Sequence, residues 1–226
     1  ITCENPFSTS EAYKLCDIII DKIKPNQKFF KLINTGTIDP FISLWGVKLT
    51  TYLKTRYTYP VAHLTDFKEL FPKRLIQVQS PKLIITGMRY LECYYDEEGE
   101  YIAGKSTLII REIKDNKFNL FCALINSKLV SFYIKQSFSS LGIDGGVNFT
   151  KDIIEDVPLP IITKHIENKI TDYVSDIKLN NKDSEFAKQQ IDNLIYKLYE
   201  LAYNEVKLID PEFSLTAKEY DAIKID

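Results

Sequence analysis

With 226 residues, 45% of them hydrophobic, the chain is long enough to bury a substantial core and to form one or two domains. No stretch approaches the roughly 18 consecutive apolar residues of a membrane-spanning helix, no charged-then-apolar signal segment appears, and a net charge of −2 excludes a uniformly basic protein. Cys3, Cys16, Cys93 and Cys122 show no Cys-x-x-Cys spacing, which fits free thiols in a reducing cytoplasm, and His63 and His165 are too far apart in sequence to indicate a histidine metal cluster.

The chain opens on Ile1 and its single methionine is Met88, so a piece of a longer protein is expected. Ser8-x-x-Glu11 is a capping-box pattern, and Ala12, Leu15, Cys16, Ile19 and Ile23 repeat at helical spacing, predicting a helix that runs to Pro25. Asn5-Pro6-Phe7 ahead of it reads as a turn. Residues 29–59 are rich in Thr, Tyr, Phe and Ile and are punctuated by Asn34-Thr35-Gly36, Asp39-Pro40 and Gly46, a composition of strands and turns. A short helix is predicted over residues 65–71, stopped by Pro72.

Residues 82–95 read as a strand pair or one bent strand, Asp96-Glu97-Glu98-Gly99 as a turn, and residues 101–113 as a returning β-rich segment, together a hairpin. Phe118, Phe121, Cys122, Ile125, Leu129, Phe132 and Tyr133 mark one apolar face of a helix over residues 117–135. Gly142-Ile143-Asp144-Gly145-Gly146 reads as a loop, followed by a short helix near residues 150–156 and a stiff break at Pro158-Leu159-Pro160. Beyond the break, Ile166, Ile170, Tyr173 and Ile177, then Ile191, Leu194, Leu198 and Leu201 after a polar turn at 180–183, predict two antiparallel helices sharing an apolar seam. The expected fold is therefore α+β: a mixed, β-rich domain with packed helices over residues 1–160, followed by a C-terminal helical hairpin over 161–226.

The charge is unevenly divided. Residues 1–158 carry 20 Lys and Arg against 18 Asp and Glu, and residues 159–226 carry 9 against 13. Within residues 48–89 there are 8 basic residues and only Asp66 and Glu69, a local +6 that could serve as an electrostatic footprint or simply be a solvated surface. Lys48, Tyr52, Lys54, Arg56, Tyr57, Tyr59, Lys73, Arg74, Arg89 and Tyr90 interleave cations with aromatics there, which permits phosphate neutralisation and base contact. The acidic run from Glu92 to Glu100 reads as a solvated turn rather than a metal site.

Gly99-Glu100-Tyr101-Ile102-Ala103-Gly104-Lys105-Ser106 matches the G-x-x-x-x-G-K-[ST] phosphate-loop pattern. A working phosphate loop follows a buried strand and opens a helix. Here acidic residues precede the match and β-branched residues follow it, so a hairpin strand with Lys105 exposed near its start fits better. A nucleotide-binding protein using this loop is one alternative, and a protein-interaction module acting through the C-terminal helices is another.

Leu124-Ile125-Asn126-Ser127-Lys128-Leu129-Val130-Ser131-Phe132-Tyr133 resembles the L-x-N-S-K-x-x-x-F-Y helix of restriction–modification recognition domains. Phe149-Thr150-Lys151 leading to Val157-Pro158-Leu159-Pro160 looks like the exit of the same domains. Ile191-Asp192-Asn193-Leu194-Ile195-Tyr196-Lys197-Leu198-Tyr199 with Glu205 is similar to their tail, and Pro81-Lys82-Leu83-Ile84-Ile85 to the strand before their recognition hairpin. In combination these resemble the TaqI-like C-terminal specificity domain of type IIG restriction–modification enzymes and adenine-N6 DNA methyltransferases, over about residues 81–209. Asn5-Pro6-Phe7 resembles the target-base element of such methyltransferases but lacks its second proline and any glycine-rich cofactor motif upstream.

The resemblance implies a target-recognition domain that clamps double-stranded DNA in the cytoplasm, against a methyltransferase domain N-terminal in the same polypeptide, while the target adenine flips out of the stack. It implies that S-adenosylmethionine, and magnesium where the parent also cuts, belong to that parent, with no catalytic, cofactor or metal residues in this chain. Candidate DNA contacts are Lys48, Lys54, Arg56, Lys73 and Arg74 by charge, Arg89, Lys105 and Ser106 beside the predicted hairpin, and Gln136, Ser137, Ser139 and Asn148 around the glycine loop.

Overall fold

The computed structural model describes residues 1–21, 27–138, 142–143, 146–179 and 184–225. The fold is α+β and forms two compact units, each visited twice by the chain: Ile1–Phe118 with Gly142–Glu155, and Asn119–Leu141 with Asp156–Asp226. These units do not coincide with a division at residue 160. The helical stretch after Phe118 groups with the C-terminal helices because its apolar side chains, Leu129 among them, complete their core.

The first unit is built on two principal sheets. In one, Cys3–Glu4, Thr107–Ile110, Lys82–Thr86 and Cys93–Asp96 lie side by side and antiparallel, with Leu83 opposite both Ile110 and Tyr95. The central strand is buried along its whole length, which explains the unbroken apolar run Leu83-Ile84-Ile85. In the other, Phe29–Ile33 lies between Val61–His63, antiparallel, and Tyr101–Ala103, parallel. Leu15, Phe30, Leu32, Tyr52, Phe67 and Ile102 form the main core of this unit. Smaller pairings are Ile38–Asp39 with Ile42–Ser43, the hairpin Thr50–Tyr52/Thr55–Tyr57, and a three-stranded ribbon of Gly142–Ile143, Gly146–Asn148 and Met88–Arg89.

Several local expectations are revised here. The first helix is capped as the sequence predicts, with Ser8 Oγ accepting from the Glu11 amide and the Glu11 carboxylate accepting from the Ser8 amide. It spans only Thr9–Leu15. The β-branched Ile18-Ile19-Ile20 run leaves the helix, and Ile20 exchanges two 2.9 Å backbone hydrogen bonds with Val61. Ile23 and Pro25 lie outside the described residues. The helix Leu64–Leu70 is present, and Pro72 opens a 3-10 turn that leads into a further helix, Leu75–Gln79. The returning segment 101–113 is two strands rather than one: Thr107–Ile110 pairs antiparallel with Lys82–Thr86, whereas Tyr101–Ala103 belongs to the other sheet, the chain changing sheet at Gly104-Lys105-Ser106.

In the second unit the single helix expected over 117–135 is two, Phe118–Asn126 and Lys128–Ser137. Ser127 breaks it. Its backbone is extended (ψ 150°), and its buried hydroxyl donates to the Leu124 carbonyl (2.7 Å) and accepts from the Val130 amide (3.2 Å), so it caps the second helix. The freed Lys128 amide donates to the Asp192 carboxylate (3.0 Å), and Lys128 Nζ pairs with Asp210 (2.7 Å). The Asn-Ser-Lys element and the Ile191–Tyr199 element are thus joined directly.

The helices Lys164–Lys178 and Ser184–Leu198 pack together through Ile166, Ile170, Val174 and Ile177 on one and Ile191 and Leu194 on the other, with Val174 rather than Tyr173 buried. Two short helices not anticipated, Tyr203–Ile209 and Ala217–Asp221, close a cluster around Tyr196, Phe213 and Tyr220. The polar turn at 180–183 lies outside the described residues. No described helix is long and apolar enough to cross a membrane.

Candidate nucleic-acid interface

One region of the first unit gathers several of the nominated residues through a continuous hydrogen-bond network. Gly104-Lys105-Ser106 turns the chain between the two sheets. Ser106 is fixed on three sides: its amide and hydroxyl meet Asn34 Oδ1 at 3.3 and 2.5 Å, and its carbonyl accepts from Thr35 Oγ1 (2.5 Å) and from the Gly87 amide (3.0 Å). Glycine is required at two of these approaches. A Cβ on Gly87 would meet the Ser106 carbonyl oxygen at 2.5 Å, and one on Gly104 would meet Asn34 Oδ1 at 2.5 Å.

From Gly87 the network continues into the loop between the strands Lys82–Thr86 and Cys93–Asp96. Thr86 closes that loop, exchanging backbone contact with Glu92 while its hydroxyl donates to the Tyr90 carbonyl (2.5 Å) and accepts from the Glu92 amide (3.0 Å). Gly146–Asn148 pairs with the loop's outer limb, Met88 facing Asn148 and Arg89 facing Val147, and the Phe149 amide donates to the Gly87 carbonyl. From Asn34 the network runs the other way: its amide nitrogen donates to the Thr51 carbonyl (2.9 Å), and Arg56 lies directly across the hairpin from Thr51.

The structure therefore links Arg56, Arg89, Lys105, Ser106 and Asn148 through a few tethered segments, with Lys54 exposed at the turn of the same hairpin. Lys105 extends over the exposed Tyr13 ring, 5.8 Å from its centroid. Asn34 was read from sequence only as part of a turn; an Asn-Thr-Gly turn places a short amide side chain where it can bridge neighbouring segments.

Other nominated residues are elsewhere or already engaged. Arg74 forms a bidentate pair with Glu11 (2.8 and 3.0 Å) and lies over Phe7; its guanidinium holds the Glu11 carboxyl down to about 2. Lys73 is exposed beside it. Lys82, counted in the +6 stretch, is buried against Asp96 and adds nothing to a surface field. Lys48 is exposed, and burial and then Asp39 push the Glu92 carboxyl up to about 7 against the pull of the Lys48 charge. The acidic run is therefore not a wholly solvated turn, since Asp96 is 1% exposed and Glu92 half-buried. Gln136 and Ser137 are exposed at the end of a helix of the second unit, and Ser139 lies outside the described residues.

Glu92 gives the first unit a pH dependence of definite sign. Its carboxyl is raised from an ordinary 4.5 to about 7, so the folded state holds a proton that the unfolded chain releases. The Glu92 contribution to stability is greatest below 4.5, falls between about 4.5 and 7, and levels above. Solvent screening of a half-buried group reduces the effect to about 1 kcal/mol. Melting temperatures from pH 4.5 to 8.5 are expected to decline less for Glu92→Gln, whose advantage over the parent should grow between about 4.5 and 7 and stay constant above.

The phosphate-loop reading is corrected. The match leads into a strand rather than a helix, the Gly104 amide donates to Ile33, and the Ser106 amide and hydroxyl are held by Asn34, so the groups that would cradle phosphate are occupied. Among the described residues no group of three or more His, Cys, Asp or Glu could hold a metal ion. Phe7 of the Asn-Pro-Phe turn is buried edge-on against Phe71 and cannot grip a base, and the glycine-containing stretch 99–106 is occupied as stated.

No protein-family model and no curated protein matches the chain. Among solved structures it is similar to the type IIL restriction–modification enzyme MmeI, determined in complex with DNA, at a TM-score of 0.50 and 11% identity. The likeness covers 98% of this chain and 34% of that one, so the chain spans about a third of that enzyme's length. At this identity the likeness is one of fold.

Proposed function

We propose that this chain recognises double-stranded DNA as the target-recognition part of a restriction–modification protein of the TaqI-like, type IIG or adenine-N6 methyltransferase kind. The observation that carries the reading is the tethered set of segments presenting Arg56, Arg89 and Lys105 without ion-pair partners among the described residues. Cations that a protein needs for its own fold are paired, as Arg74 and Lys82 are; these three are mounted on a rigid base and left to solvent. The fold likeness to a DNA-bound restriction–modification enzyme supports the same reading. Methyl transfer, S-adenosylmethionine binding and any magnesium-dependent cleavage fall in this proposal to other domains of a longer protein. The role of this chain is to fix the duplex in register, with cations on phosphates and side chains reaching base edges.

The test is the salt dependence of duplex binding. Lys54, Arg56, Arg89 and Lys105 are the cations of the linked segments that are exposed and without ion-pair partners among the described residues. About four neutralised phosphates give a slope of log K against log salt near −4, and Lys105→Ala should lower its magnitude by about 1. A flat salt response, or association of the chain with itself without affinity for duplex, would overturn the proposal.

A further inference from the structure

We propose that Arg89 is the specificity-determining side chain of this surface and reads the edge of a guanine in the major groove, an inference that rests on the DNA-recognition reading above. Three features of the Thr86–Glu92 loop lead to it. Met88, Arg89 and Tyr90 are all exposed at its tip, Tyr90 by 71%, and the Arg89 guanidinium has no hydrogen-bond or ion-pair partner among the described residues. Arg89 sits at φ 71°, a left-handed conformation that costs free energy for a side chain of its size. The surroundings impose that conformation: the Thr86 hydroxyl ties the inner limb, Gly146–Asn148 pairs with the outer limb, and Gly87 is pinned between Ser106 and Phe149.

A phosphate contact does not need such a mount. Lys105 shows the alternative nearby, a flexible stem over an exposed ring, which can follow a phosphate through many geometries. A guanidinium held on an over-determined backbone is suited to a target fixed in position and planar in its acceptors. Guanine O6 and N7 in the major groove are that target, and they take the arginine fork bidentately. Tyr90 and Met88 on either side present apolar surface that can exclude water from such a pair.

The experiment is selection of bound sequences from a randomised duplex pool, run in parallel with the chain, Arg89→Ala, Arg89→Lys and Lys105→Ala. The parent should enrich a sequence containing at least one fixed guanine. Arg89→Ala should lose that position while keeping the others, with about tenfold or greater loss of affinity for the parent's preferred duplex and little loss for a scrambled one, and Arg89→Lys, which can reach the same acceptors but lacks the planar fork, should weaken the position to an intermediate degree. Lys105→Ala should weaken both duplexes alike and keep the sequence. If Arg89→Ala returns the parent's sequence, or weakens all duplexes evenly, Arg89 is a phosphate contact and the inference fails while DNA recognition stands. If the parent binds no duplex, the DNA-recognition reading fails and takes this inference with it.

Discussion

Lys82→Met is expected to cost about 3–5 kcal/mol, enough to leave the first unit largely unfolded in a urea titration. Lys82 and Asp96 face each other in register across two antiparallel strands, and both side chains are 1% exposed. Burial pushes the Lys82 amine below the ordinary lysine range, and the charge and hydrogen bond of Asp96 push it back. Lys82 Nζ also donates to the carbonyls of Val78 (2.6 Å) and Ser80 (3.3 Å), while Asp96 accepts from the amides of Glu100 and Tyr101 at 3.0 Å each. The pair thus fastens the helix Leu75–Gln79, the central sheet and the turn into Tyr101–Ala103 at one point. Removing the lysine alone strands a carboxylate in the interior. Lys82→Met combined with Asp96→Asn, which removes both charges and keeps an acceptor for the turn amides, should recover most of the loss. A double variant no more stable than the single one would show that the charge pair is not the source of the effect.

The same pair marks how far the sequence could be read. Lys82 sits at the head of an apolar run and Asp96 in a stretch of four acidic residues, and by composition both look solvated. Their burial follows from strand register, which pairs residues 14 positions apart and has no local signature. The apolar periodicity after Phe118 predicted helix correctly but ran through Ser127, because a serine at a cap and a serine within a helix leave the same apolar pattern on either side. The separation of Tyr101–Ala103 and Thr107–Ile110 into different sheets was hidden for a related reason: a β-rich segment read as one returning strand carries no local mark of the sheet to which each part belongs. The elements governed by local chemistry were legible, namely the capped start of the first helix, the helix before Pro72, the central strands and the paired C-terminal helices. At the candidate site Arg89, Lys105, Ser106 and Asn148 could be named from sequence, but the residue that holds the segments together could not.

Asn34 is that residue, and Asn34→Ala should test its role apart from any ligand. Its side chain makes no charged contact with DNA in the proposed arrangement, yet it donates to the Thr51 carbonyl and accepts from both the amide and the hydroxyl of Ser106. Alanine leaves the part-buried Ser106 amide and hydroxyl without their acceptor and returns the exposed Thr51 carbonyl to solvent, a loss of about 2 kcal/mol. Asn34→Asp keeps the oxygen that receives Ser106 but turns a second oxygen toward the Thr51 carbonyl, an exposed contact that can open to solvent, so about 1 kcal/mol is expected from the structure alone. The order parent, then aspartate, then alanine in urea stability is therefore a consequence of geometry. Amide exchange distinguishes the two variants locally. The Ser106 amide should lose protection in the alanine variant and keep it in the aspartate variant, whereas the central strand amides from Leu83 to Ile85 should be unaffected in both. Duplex affinity should follow a different order, because aspartate adds a negative charge among Arg56, Arg89 and Lys105 and repels phosphate. Aspartate more stable than alanine but weaker in DNA binding is an outcome that neither a purely structural role nor a purely electrostatic one produces. If both variants fall within 0.5 kcal/mol of the parent, a margin typical of ordinary surface substitutions, the junction at Asn34 does not hold these segments together.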